Sequence, residues 1–267
     1  MIQQIACKFC GNAPAIARSH SIPDGIFRLL TQKSAGSAIA IPSGEGKIQR
    51  SIDTGMAPIL CNDCERDFNR NFDAPLVNIF KELDRKIQSD GFAVRVDFDH
   101  DQLAQAVVSI IWRCCASDAV LYSGAQVSSL HLDTLKALLH EPTDKVLKHC
   151  SVGFNRLSDE RNRLGKGSDQ LSISQLIVPP TPRRYLINER VRGFGFDVVF
   201  QGFLIHLAVP RLPFPKGMAA CYLKSGKNVL HAPRIEIFDY QPLVDLMVYA
   251  YAKVEAGEVT KGVARTR

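Results

Sequence analysis

Two short stretches, Cys7-Lys8-Phe9-Cys10 and Cys61-Asn62-Asp63-Cys64, decide how the first part of this 267-residue chain folds. In each stretch two residues separate the cysteines, and this spacing lets both thiolates reach one metal ion from a tight turn. Two such pairs complete the closed tetrahedral shell of a structural Zn²⁺ ion. The sequence therefore predicts one zinc site, formed by these four cysteines, that holds the segment between the two pairs in place.

The composition is typical of a soluble globular protein, with 46% hydrophobic and 22% charged residues. The sequence shows no basic and apolar leader of the kind that directs secretion, and no apolar run of about 18 residues that would span a membrane. Eight cysteines without a leader favour a reducing compartment, where paired cysteines bind metal. We therefore expect a cytoplasmic protein without a membrane segment.

The net charge of +6 comes from an excess of Lys and Arg in residues 151–267. A basic excess suits a polyanionic partner, because Lys and Arg displace counterions from phosphates. Many soluble proteins have a similar charge without binding nucleic acid. The charge alone therefore permits a nucleic-acid partner without requiring one.

Hydrophobic spacing predicts helices in the middle of the chain. Asp73 is the expected N-cap of a helix that ends near Gly91. Asp99 or His100 begins a strongly apolar, buried helix in which Arg113 is expected to bind a carboxylate or the zinc module. Further predicted elements are a strand at 92–98, a helix from His131 to His140 and a short helical stretch from Lys145 to Cys150.

From Leu171 onward the hydrophobic period changes to two, which predicts strands. Gln201-Gly202 predicts a hairpin turn, and Ser225-Gly226-Lys227-Asn228 predicts a second one. A helix from Gln241 to Glu255 is expected to close the fold. The predicted class is α+β in three parts. These are a zinc-bound module at 1–75, a helical region at 76–165, and an antiparallel β-rich region with a C-terminal helix at 166–267.

The segment between the cysteine pairs contains Ser19-His20-Ser21-Ile22-Pro23, and the second pair continues into Glu65. Together with the four cysteines, these residues resemble the HNH endonuclease superfamily in its zinc-supported, treble-clef form. The resemblance covers the first quarter of the chain and implies a ββα-like zinc module. It also implies that His20 is the general base for metal-dependent cleavage of nucleic acid, with DNA as the expected substrate. An imidazole can take a proton from water at cellular pH.

The chain departs from the family pattern at three positions. Ser19 stands where the family often has an acidic residue or a second histidine before the catalytic histidine. Glu65 stands where the family usually has a histidine ligand, and the usual central asparagine has no counterpart between Thr54 and Leu60. Asp53 is the nearest polar candidate, and Asn62 and Asn69 are alternatives. Because carboxylates suit Mg²⁺ and Mn²⁺, His20, Glu65 and Asp53 are the candidate catalytic residues around a second divalent cation.

A second hypothesis is a non-catalytic module that keeps the zinc scaffold and binds nucleic acid or protein through a degenerate site. The C-terminal region would then select the substrate or a protein partner. Arginine and lysine side chains that are candidates for binding phosphate are Arg18, Arg28, Arg161, Arg163, Lys166, Arg183 and Arg184. The stretch from Asn155 to Lys166 is expected to be a flexible basic segment.

Overall fold

A computed structural model describes residues 5–31, 38–40, 47–51, 55–86, 93–95, 99–161, 173–174, 176–187, 191–213 and 220–260. The helices are α1 (Asp24–Thr31), α2 (Asn62–Phe68), α3 (Ala74–Lys86), α4 (His100–Ala116), α5 (Ser129–His140), α6 (Val146–His149) and α7 (Gln241–Glu255). A π-helical segment, Asn69–Asp73, joins α2 to α3. Within the described ranges, 3₁₀ turns lie at Val120–Ala125, Thr143–Lys145 and Ile237–Asp239. None of the helices among these residues is long and apolar enough to cross a membrane.

The strands form one five-stranded sheet and two small ribbons. The strands are β1 (Ala38–Ala40), β2 (Gln49–Ser51), β3 (Ala93–Arg95), β4 (Ser151–Ser158), β5 (Val178–Ile187), β6 (Val191–Phe200), β7 (Phe203–Val209), β8 (Val229–His231) and β9 (Arg234–Glu236). The large sheet has the order β5-β6-β7-β4-β9, in which only the β4–β9 pair is parallel. The ribbons pair β1 with β2 and β3 with β8.

Helix α4 lies at the centre of the core. Every residue of α4 except Gln102 is buried, as the apolar sequence on several of its sides predicts. The turns at Cys7–Cys10 and Cys61–Cys64 are called the first and second cysteine knuckles. One cluster of buried side chains runs from these knuckles through α4 to the inner face of the large sheet. Trp112 of α4 packs edge-on against Phe9, with ring centroids 5.3 Å apart. The segments that carry the four cysteines and the large sheet therefore share one hydrophobic core.

Helix α7 covers the opposite face of the large sheet near the β6–β7 turn. Leu243 of α7 joins a second buried cluster with Leu157 of β4 and Leu204 of β7. The boundaries of α7 agree with the predicted Gln241–Glu255, and Pro242 lies in its first turn. The turn at Gln201 and Gly202 has φ values of 54° and 73°, which suit a two-residue hairpin.

The sequence-based expectation for Asp73 was wrong. The helix that begins at Asn62 continues through the π segment into α3, so Asp73 lies within a continuous helical stretch instead of capping a new helix. Asp73 is buried and accepts hydrogen bonds from both terminal nitrogens of Arg113, at 2.9 and 2.5 Å. The expectation that Arg113 binds a carboxylate is thereby confirmed.

Three expectations that concern the strands need correction, and one of them falls in the predicted helical region at 76–165. Strand β8 pairs with β3 and not with the segment before Ser225, and Tyr222 forms a bridge with Gly153. Asn155 lies in β4, a central strand of the sheet, and not in a flexible segment. The parallel β4–β9 pair makes the sheet mixed rather than wholly antiparallel.

Helices α1 and α3 cross at Gly25, where a β-carbon would come within 2.6 Å of Val77 Cγ2. We expect Gly25→Ala to lower the free energy of unfolding by about 1–3 kcal/mol, because the two helices must move apart. Urea denaturation of a double-mutant cycle with Val77→Ala tests this expectation. Gly25→Ala should become neutral or stabilising in the Val77→Ala background, and an equal loss in both backgrounds would contradict the steric explanation.

Candidate metal centre and adjacent cleft

The two cysteine knuckles are joined by backbone hydrogen bonds that bring the thiols together. Lys8 N donates to Ile59 O at 2.8 Å, and Ile16 N donates to Leu60 O at 2.8 Å. Cys61 occupies the N-cap position of α2 with an extended backbone. The first knuckle therefore lies beside the start of the helix that carries the second cysteine pair.

The arrangement of the four sulfur atoms fits a tetrahedral zinc ion. The sulfur atoms of Cys7, Cys10, Cys61 and Cys64 all lie within 4.8 Å of one another. The Cys10 and Cys61 Sγ atoms are 3.8 Å apart. Zinc–sulfur bonds of about 2.3 Å give tetrahedral edges of about 3.8 Å. The cluster can hold a metal such as Zn²⁺, and its purely sulfur donor set leaves no open coordination position for catalysis.

The thiols have contrasting electrostatic environments. A backbone hydrogen bond from Asn12, followed by contacts with the neighbouring thiols, lowers the pKa of Cys10 to about 7. Burial, followed by the neighbouring thiols, raises the pKa of Cys64. Metal binding favours thiolates over thiols, since the metal's charge compensates for their mutual repulsion.

His20 lies directly after a short antiparallel bridge. Ser19 and Ala57 exchange backbone hydrogen bonds of 3.2 and 3.1 Å, and Ser19 Oγ donates to Glu65 Oε2 at 2.5 Å. This contact ties the strand before His20 to the helix that begins at the second knuckle. His20 and Glu65 are both partly exposed.

His20 and Glu65 line one open cleft with a volume of about 420 Å³. Its walls are formed by α1, α3 and the π segment between α2 and α3. No hydrogen bond to the imidazole of His20 is found among the described residues, and His20 lines the cleft. The sequence pattern predicted these two residues as site residues, and the structure brings them to the same cavity.

Among the described residues, three carboxylates line the cleft, and two of them are paired with arginines. Asp24 forms an ion pair with Arg28 at 2.5 Å, and Asp73 binds Arg113. Glu65 accepts from neutral Ser19 and forms no ion pair among the described residues. Glu65 is therefore the carboxylate best placed to bind a divalent cation in this cleft.

Among the cleft residues that carry polar side chains, Asn69 was left as an alternative in the sequence analysis and Lys81 was missed. Asn69, in the π segment, lines the cleft, whereas the other candidate, Asn62, is not among its lining residues. Lys81 of α3 also lines it. The sequence pattern predicted a break in the helix at Asp73. If it had predicted one continuous helix from the second knuckle, helical spacing would have placed Asn69 on the same face as Glu65 and Lys81 in the same helical stretch. Asp53 lies outside the described residues.

The predicted phosphate-binding residues fall in different places. Arg28 lies in the cleft wall, and Arg18 and Arg184 are exposed. Arg161 is exposed and forms an ion pair with Asp239 at 3.4 Å. Arg163 and Lys166 lie outside the described residues. Arg183 lies in strand β5 of the large sheet.

Arg183 belongs to a polar network around Asp197 on the large sheet. Arg183 Nε donates to Asp197 Oδ2 at 2.5 Å, His206 Nδ1 lies 2.5 Å from Asp197 Oδ1, and Tyr240 Oη donates to the same carboxylate. Burial alone would raise the pKa of Asp197, but these donors, led by His206, outweigh it and lower that pKa. The guanidinium of Arg183 is therefore engaged within the fold.

Comparison of the chain with models of protein families, with curated proteins and with solved structures finds no match.

Proposed function

We propose that the chain is a metal-dependent, HNH-like endonuclease that hydrolyses phosphodiester bonds in nucleic acid, with DNA as the expected substrate. The observation that carries the proposal is the convergence of His20 and Glu65 on one open cleft beside the four-cysteine cluster. Lys81 of α3 lines the cleft, and its positive charge can attract a phosphate. Arg28 also lies in the cleft wall, where it is paired with Asp24.

In this mechanism, His20 takes a proton from a water molecule in the cleft. The water oxygen forms a bond to phosphorus, and the bond between phosphorus and the 3′ oxygen breaks. The products are a 5′-phosphate and a 3′-hydroxyl, whose proton comes from solvent.

The cleft also offers donors for a divalent cation. Glu65 would hold a Mg²⁺ or Mn²⁺ ion, and Asn69 supplies a second oxygen donor in the same wall. Such an ion would polarise the phosphate and stabilise the departing oxygen. The four-cysteine cluster would serve a separate, structural role, because thiolates are poor ligands for these hard cations.

His20→Ala should slow metal-dependent cleavage by about 10²–10⁴-fold, because the variant lacks the proton acceptor. The assay is nicking of supercoiled plasmid by zinc-loaded protein with Mg²⁺, Mn²⁺ or Ni²⁺. His149→Ala is the matched control, since His149 is an exposed histidine at the end of α6. Undiminished nicking by His20→Ala would contradict the mechanism. Binding of nucleic acid without any cleavage by the wild type would favour the non-catalytic module.

A further inference from the structure

Arg113 of α4 connects the two segments that supply the cleft. Its side chain is 0% exposed. Nη1 donates to the backbone carbonyl of His20 at 3.1 Å and to Asp73 Oδ2 at 2.9 Å, while Nη2 donates to Asp73 Oδ1 at 2.5 Å. One guanidinium thus holds both the strand end that carries His20 and the helical stretch that carries Glu65.

The geometry of this contact is rigid. A guanidinium is planar, and its donors lie at fixed angles, so a bidentate contact with Asp73 fixes the direction of the remaining donor. The π segment places Asp73 in the same continuous helical stretch as Glu65, and such segments often occur at functional sites. Arg113 therefore fixes the position of the His20 backbone relative to the helical stretch that carries Glu65.

We propose that Arg113 is a positioning residue that sets the place of the His20 imidazole relative to the Glu65 carboxylate. This inference rests on the proposed function for its catalytic consequence. Arg113 contacts the backbone of His20 rather than its ring. It interacts with the Glu65 carboxylate only through the electrostatic field, and no direct hydrogen bond between the two side chains is found among the described residues. It acts through the placement of other groups, and displacing a catalytic group by about 1 Å can cost about 100-fold in rate.

Two variants separate positioning from stability. Arg113→Lys keeps the charge and a partner for Asp73, but a single ammonium cannot reproduce the planar fork that spans Asp73 and His20. The double variant Asp73→Leu/Arg113→Met replaces the buried pair by apolar side chains of similar size, which is often neutral or stabilising. Both variants are to be assayed as zinc-loaded, full-length protein at a temperature at which urea denaturation shows them folded.

The expected result is a kcat about 10–100-fold below that of the wild type, with KM for DNA changed by less than about threefold. In Arg113→Lys, which leaves the described lining residues of the cleft unchanged, that split would not follow from a purely structural role, because a folded, stable variant would then turn over normally. Wild-type kcat in either stable variant would overturn the inference.

A second measurement does not depend on activity. Imidazole ¹H and ¹⁵N signals of His20, assigned with His20→Ala, should shift or split in Arg113→Lys, while those of exposed His149 stay unchanged. Unmoved His20 signals would overturn the inference whether or not the protein cleaves DNA. If the signals move but the wild type cleaves no nucleic acid, the positioning by Arg113 stands and the proposed function fails.

Discussion

Replacing Cys61 by serine is expected to unfold the N-terminal module. Zinc binding contributes about 10–16 kcal/mol to folding in small zinc domains, which is comparable with the whole stability of about 5–15 kcal/mol of a typical protein. Cys61 is buried at the start of α2, and it belongs to the core cluster that also contains α4. Loss of the metal should therefore destabilise the central core as well as the knuckles.

The measurement combines elemental analysis for zinc with thermal unfolding followed by circular dichroism. The wild type should contain one zinc per chain, while Cys61→Ser should contain little zinc and lose its cooperative unfolding transition. Cys221→Ser is the control, because Cys221 is half-buried and lies outside the cluster. A zinc-free Cys61→Ser protein that unfolds at the wild-type temperature would show that the cluster is not a structural metal site.

Arg113→Met is expected to lower the free energy of unfolding by about 3–5 kcal/mol, because it leaves the buried Asp73 carboxylate without its ionic partner. The pair is largely shielded from solvent, with side-chain exposures of 0% and 12% for Arg113 and Asp73. Burial alone would lower the pKa of Arg113, but Asp73 outweighs it and raises that pKa. The fold therefore stabilises the charged form of Arg113.

Urea denaturation gives the change in unfolding free energy directly. The matched control is Arg161→Met, which removes an ion pair with Asp239 whose two side chains are 54% and 53% exposed. Exposed pairs contribute about 0–1 kcal/mol, so this variant should unfold close to the wild type. Equal losses in the two variants would contradict the special role assigned to the buried pair.

Features with a local physical signal could be predicted from the sequence. The two-residue spacing of the cysteines indicated the cluster, since the metal's coordination demands that spacing. Asp99 caps α4 by accepting from Gln102 N at 2.8 Å, and the apolar spacing behind it predicted the helix. The Gln201-Gly202 hairpin and α7 likewise depend on residues that are close in sequence.

Features that depend on distant partners could not be predicted in this way. Asp73 has the sequence context of an N-cap, but its partner Arg113 lies 40 positions away and decides its role. Strand β8 begins after a turn sequence, yet it pairs with β3, which no local hairpin rule can show. Strand β4 is buried on nearly every residue, so it lacks the alternation that marks a half-exposed strand.

The candidate site also combines features that a local sequence motif predicts with features that depend on distant residues. His20 and the cysteines came from a short motif, whereas Lys81 and the pairing of Asp73 emerged only once α2, the π segment and α3 formed a continuous helical stretch. The distinction between Glu65 and the two paired carboxylates also depends on contacts across the fold, with Arg28 on α1 and Arg113 on α4.

The central claim is that His20 activates water for attack on a phosphodiester in this cleft. The most direct test is cleavage of a DNA duplex in H₂¹⁸O with Mn²⁺, followed by mass spectrometry of the products. The mechanism predicts that wild-type protein places one ¹⁸O in the new 5′-phosphate and that His20→Ala yields at least about 100-fold less of this product. Equal ¹⁸O-labelled product from both proteins, or label absent from the 5′-phosphate, would contradict it.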